Sequence, residues 1–133
     1  MKILVVSDEV VLVNRLAGLE YKQYRPSSPL RILETQDLQL WHVLYSDHLP
    51  LVALMGACGL VVVSHAPPFG LLERNHAYFS SLDFPVLWLT DSRGRKETFQ
   101  LNVQKVCYNN VSDPVVTSEF DHWLQKVKAY VSQ

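Results

Sequence analysis

The chain has 133 residues, of which 48% are hydrophobic and 19% charged, the length and composition of one folded core inside an ordinary polar surface; a disordered or low-complexity protein is excluded. Twelve Lys and Arg stand against 13 Asp and Glu for a formal net charge of -1, so no global field draws the molecule onto nucleic acid or an anionic membrane. No apolar run approaches the roughly 18 residues of a membrane span, nor the core of a signal peptide, and Cys58 and Cys107 lack the number and spacing of a disulfide or zinc framework. The expectation is a single cytoplasmic domain over residues 1–133 with reduced thiols.

Ile3–Val6 is a short, continuous apolar run rich in β-branched residues, the pattern of a strand covered on both faces. Leu12, Val13, Leu16 and Leu19 then follow at helical spacing. Leu30–Leu33 reads as an edge-side strand, and Asp37–Tyr45 as a helix carrying Leu38, Trp41 and Leu44. Pro50 breaks it, and a short helical piece over Leu51–Ala57 ends at Gly59. The strand signature returns at Leu60–Val63, at Pro85–Leu89 and more weakly at Val103–Tyr108, with helical spacing of Leu71, Leu72, Tyr78, Phe79 and Leu82 after the first of these. The last helix carries Phe120, Trp123, Leu124, Val127, Tyr130 and Val131, with Ser118 and Asp121 as a capping-box start. Alternating strands and helices joined by right-handed crossovers give an α/β fold, here a doubly wound five-stranded parallel sheet of flavodoxin-like order with helices on both faces.

In such a sheet the ligand site lies beyond the carboxyl ends of the strands. The rim residues are Ser7, Asp8 and Glu9, then Ser64, His65 and Ala66, then Thr90 and Asp91, and finally Asn110 to Pro114. The turn after the first strand has no glycine and two acids, which argues against a flavin-type phosphate loop. The five histidines, His42, His48, His65, His76 and His122, show no metal-ligand spacing. Arg93, Arg95, Lys96 and Lys105 form a small basic cluster of the kind usually found on a solvated face. Asp8 and Asp113 could face each other across the crevice as a minimal cation site, or cap helix and turn instead.

With these motifs in order, the sequence resembles the receiver domains of two-component response regulators. Lys2–Glu9 looks like the opening strand with its acidic pair, Gly59–Ser64 like the strand ending at the phosphoacceptor, with Pro68 following, Pro85–Thr90 like the strand ending at the switch hydroxyl, and Asp113-Pro114 like the Lys-Pro turn. The resemblance implies a degenerate member. Ser64 stands at the attacking aspartate, Ser7 replaces one acid beside Asp8, Asp113 replaces the lysine, and Thr90 alone survives. A neutral hydroxyl without a base is a poor nucleophile, and one carboxylate is too few for Mg²⁺. The implied function is a non-enzymatic pseudo-receiver without cofactor, a protein-interaction or regulatory module in bacterial signal transduction, standing alone or as the N-terminal part of a larger regulator. The rival from another class is a small α/β enzyme or ligand sensor built on the same crevice. An open crevice would favour the sensor, and one filled by His65 and Phe69 the binding module. The last helix holds more apolar surface than one sheet face needs, so Trp123, Val127 and Tyr130 are expected at a homodimer or partner interface with the neighbouring fifth strand and fourth helix.

Overall fold

A computed structural model describes residues 1–18, 30–35, 37–79, 83–91 and 102–132. It is an α/β fold built on a six-stranded sheet. The strands are β1 (Lys2–Ser7), β2 (Leu30–Glu34), β3 (Gln39–Val43), β4 (Gly59–Val63), β5 (Val86–Thr90) and β6 (Val103–Cys107). The helices are α1 (Val10–Leu16), α2 (Leu51–Leu54), α3 (Phe69–Arg74), α4 (His76–Phe79) and α5 (Pro114–Val131). Spatial order is β2-β3-β1-β4-β5-β6. β2 runs antiparallel to β3, and every other pair is parallel.

The five-stranded, all-parallel expectation is therefore corrected at one place, residues 37 to 45. The segment read as a helix on Leu38, Trp41 and Leu44 is strand β3, which pairs Leu40 with Ile3 and Leu33 and pairs Trp41 with Leu4 and Ile32. Its burial follows the strand period, with Leu40 packed in one core and Trp41 and Val43 against the other. A tight turn closes the β2–β3 hairpin, Thr35 donating its backbone N–H to the Leu38 carbonyl at 2.9 Å. Leu30–Leu33 is the edge strand, as its sequence suggests.

Two cores sit back to back across the sheet. Ile3, Val5, Val61, Val63, Leu87 and Leu89 point toward α1 and α5, where they meet Leu12, Val13, Phe120 and Trp123. Leu4, Val6, Leu60, Val62 and Val86 point the other way, toward Ala53, Leu54, Leu71 and Phe79 of α2, α3 and α4. The α5 helix starts earlier than a capping box at Ser118 would have it. Asp113 is the N-cap, its carboxylate accepting from the Val115 N–H at 3.1 Å, and Pro114 occupies the first turn, where a missing N–H costs nothing. The helical spacing after β4 is split into α3 and α4 at Asn75, whose side chain ties the Leu71 carbonyl to that of Asp47. Leu19, Leu82, Arg93, Arg95 and Lys96 lie outside the described residues.

Much of the apolar stripe on the last helix is spent on the sheet, while Val131 stays 52% exposed. Phe120, Trp123 and Val127 are all but wholly buried against the sheet. The Tyr130 ring packs edge-on against Phe84 with centroids 6.0 Å apart. Among the described residues no helix is long and apolar enough to cross a membrane.

Trp123 also explains a glycine. A Cβ at Gly59 would stand 2.7 Å from the Trp123 ring and 3.1 Å from Val127 Cγ2, and both side chains are buried with no room to retreat. Gly59→Ala is expected to destabilise the fold by about 1–3 kcal/mol, the usual cost of overpacking. Urea unfolding of the two proteins side by side checks this through a lowered midpoint at unchanged slope.

Candidate functional site

The carboxyl ends of β1, β4 and β5 open on a cleft of about 330 Å³. Its lining includes Asp8, Glu9, Ser64, His65 and Asp91, all from the predicted rim, together with Tyr45 and Tyr108. The crevice is open. His65 stands on its wall and is largely exposed, and Phe69 is not part of the lining. The two tyrosines were not anticipated. Tyr45 was hidden by reading residues 37 to 45 as a helix, whereas Tyr108 sits one position beyond β6 and so follows the same end-of-strand rule as the others.

The sequence-predicted site residues divide into lining and support. Ser7, wholly buried, accepts the Glu9 backbone N–H on Oγ at 2.9 Å and closes the turn between β1 and α1. Asp8 does not cap α1; its Oδ1 accepts the Tyr45 backbone N–H at 3.0 Å and holds the end of β3 to the end of β1. Ser64 Oγ donates to the Ala66 carbonyl at 2.7 Å, and buried Thr90 donates to the His65 carbonyl at 3.2 Å. Both hydroxyls therefore brace the loop after β4. His65 Nδ1 lies 3.0 Å from Asp91 Oδ1. Asp113 is not at the cleft: its carboxylate caps α5 and takes the Asn109 N–H at 2.9 Å, while its carbonyl accepts from Arg15. Asp8 is part of the cleft lining and Asp113 is not. Among the described residues no group of three metal-ligating side chains converges anywhere.

One buried residue beneath the cleft has no surface role. His42 in β3 receives the Arg31 Nε–H on Nδ1 at 2.8 Å and has Nε2 2.7 Å from the Ser7 carbonyl. A guanidinium only donates and a carbonyl only accepts, so the ring is the neutral Nε2–H tautomer. Burial pushes its pKa down, and Arg31 adds to this, outweighing the opposite pull of the Ser7 carbonyl and Asp8.

Sheet order and cleft define a class of fold: a mostly parallel sheet with one antiparallel edge hairpin and a cleft at the carboxyl ends of its central strands. No protein-family model matches the sequence, and no curated protein sequence is significantly similar to it. Solved structures do share the fold. The GTP-bound crystal structure of IFT22 from T. brucei matches with a TM-score of 0.58 at 20% identity, and its GDP-bound crystal structure with 0.58 at 21%, each over 97% of this chain and 95% of that one. These matches, with the antiparallel β2 and the sixth strand, overturn the receiver resemblance and with it the reading as a two-component pseudo-receiver.

The fold does not bring the phosphate-binding loop with it. A nucleotide-cradling strand-to-helix turn needs the pattern G-x-x-x-x-G-K-[S/T], whose glycines let backbone N–H groups reach the phosphates and whose lysine neutralises them. Here β1 ends at Ser7 and α1 begins at Val10, leaving Asp8 and Glu9 as the whole turn. Neither glycine nor lysine occurs between Ser7 and Asn14.

The His42 environment yields a sign. Protonation is disfavoured in the folded chain, so the unfolded chain takes up the proton first and stability rises with pH. This contribution is complete above the ordinary histidine range near about 6.5 and is lost as pH falls through it. Urea midpoints measured from neutral to mildly acidic pH should fall, and less steeply for His42→Gln; equal slopes would contradict this account.

Proposed function

We propose that the chain is a scaffold on the fold of a GTP- and GDP-bound protein that neither holds nor hydrolyses nucleoside triphosphate, and that it works through contacts with a protein partner. One observation carries the reading: two carboxylates, Asp8 and Glu9, occupy the turn where phosphate oxygens would have to sit. Like charges at that distance repel, and no lysine of the turn offsets them.

A surface for such a partner lies at the β2 edge of the sheet. Ile32 on edge strand β2 lies across from Trp41, and Lys2 bridges from the Trp41 ring, 3.8 Å away, to the carbonyls of Val52 and Met55 at 2.9 and 2.7 Å. Ile32, Val52 and Met55 are 46%, 56% and 60% exposed, so an apolar strip runs from the edge strand onto α2. Exposed apolar patches of this kind mark interaction surfaces.

A ligand-sensing reading has its own support in the open cleft, whose volume falls at the low end of the roughly 300–1,000 Å³ of small-molecule sites.

Nucleotide binding tests the scaffold reading. A nucleotide with micromolar affinity, added at about a thousandfold excess over Kd, would stabilise the fold by roughly 4 kcal/mol and raise the melting temperature by many degrees. We expect no shift with GTP or GDP in the presence of Mg²⁺ and no saturable signal from a fluorescent GDP analogue. Saturable micromolar binding would overturn the proposal.

A further inference from the structure

We infer that His42 is a proton-operated latch on the edge strand β2: taking up a proton releases β2 from the sheet while the other strands stay in place. The latch is a property of the chain alone and depends on neither the partner surface nor the cleft.

It begins with a cross-strand pair. Arg31 of β2 lies directly opposite His42 of β3, the position at which two side chains of an antiparallel ladder meet. His42 is 2% exposed and held at both ring nitrogens, Nδ1 receiving the Arg31 Nε–H at 2.8 Å and Nε2–H donating to the Ser7 carbonyl at 2.7 Å. Only the neutral ring can do both. A second proton has to go on Nδ1, where it meets Arg31 donor to donor and cation to cation, and a guanidinium cannot give up its own proton.

The two bonds fail unequally. The Ser7 carbonyl accepts from Nε2–H in either state, and a charged donor strengthens that bond, so the ring stays fastened to β1. The contact with β2 turns into a repulsion. On its other side β3 is paired with β1 from Gln39 to Val43, whereas β2 has β3 as its one strand neighbour among the described residues. The strand that yields is therefore β2, and its release bares the outer edge of β3.

Few other charges bear on the ring among the described residues. Arg31 from β2 and Asp8 from the turn after β1 act on it in opposite directions. Asp8 gives an oxygen to the Tyr45 N–H, and Glu9 lines the cleft. The one charged residue of α1, Arg15, donates to the Val111 and Asp113 carbonyls. Lys2, at the start of β1, donates to the carbonyls of Val52 and Met55, and Glu34, at the end of β2, accepts from Gln39. Arg31 itself is also tied to the Val10 carbonyl at 3.4 Å, which keeps it beside the ring. Burial, and behind it Arg31, hold the ring below its ordinary pKa against the Ser7 carbonyl and Asp8.

Release returns the ring to its ordinary pKa near about 6.5, so opening takes up one proton. The open fraction then rises as pH falls below that value, by up to about tenfold per pH unit, and levels off once the closed form is protonated as well.

Amide hydrogen exchange of the full chain, read residue by residue by NMR from about pH 7.5 to about pH 5 and expressed as protection factors, tests the latch. The amides of Leu30–Glu34 that bond to β3 are expected to lose protection in step with the titration of the His42 ring, while the amides of β1 and β4 keep theirs. His42→Gln, whose amide can accept from Arg31 and donate to Ser7 without titrating, should hold β2 at every pH. Should that variant not fold, Arg31→Gln keeps the test open, because an amide can donate to the neutral ring or accept from the charged one: the His42 pKa should rise and β2 protection become independent of pH. Protection of β2 that is unchanged to the acid end of the range, a loss shared equally by β1 and β4, or a loss that persists in the folded variants overturns the inference.

Discussion

The whole arrangement depends on β1 being buried on both faces. Ile3, Leu4, Val5 and Val6 have no exposure at all, and side chains alternate across a strand, so water can be excluded only if one helical layer covers each side. α1 and α5 cover one face; α2, α3 and α4 cover the other. Parallel partners on both flanks, β3 and β4, then satisfy the strand's backbone groups. With the strand fixed this way, its carboxyl end has to open at the surface, and the residues that follow it become the floor of a cleft.

That logic is why the rim was legible from sequence. Asp8, Glu9, Ser64, His65 and Asp91 are all residues that immediately follow a buried apolar run, and the runs themselves are unmistakable. The sixth strand was not legible in the same way. Leu38, Trp41 and Leu44 satisfy a helical spacing, while Leu40, Trp41, His42 and Val43 form a short run in which a histidine breaks the apolar signal. The structure shows why His42 is tolerated inside a strand: Arg31 from β2 and the Ser7 carbonyl from β1 satisfy both ring nitrogens. A buried histidine's partners come from other elements, so nothing local in the sequence announces them. Missing that strand changed the sheet order.

The last helix sits deeper in the fold than its spacing alone conveys. Its wide apolar stripe reads as surplus if a helix is assumed to cover one strand's worth of sheet. Here Trp123 lies against Gly59 at the start of β4, and Phe120 stacks on it at 6.0 Å, so the same stripe fills a deep layer under several strands. Exposed apolar residues stand on α2 and the edge strand, where short elements cannot hide both sides of themselves, and also at Phe69, Tyr78 and Val131. The cleft's chemistry is likewise set by what the turn lacks. The same strand-to-helix junction that cradles anions in a glycine-rich form becomes an acceptor-rich floor when its residues are Asp8 and Glu9.

The hairpin of β2 and β3 has a kinetic consequence. Every other described pairing in the sheet is parallel and joins segments separated by a crossover, so each carries the entropy of closing a long loop before any contact repays it. The β2–β3 turn brings Glu34 opposite Gln39 with almost no loop to close, and hairpins of this kind form in about 1–10 μs. The strand hardest to see in the sequence is thus the one best placed to form early. Once formed, β3 offers β1 a strand already held in register by its hairpin partner.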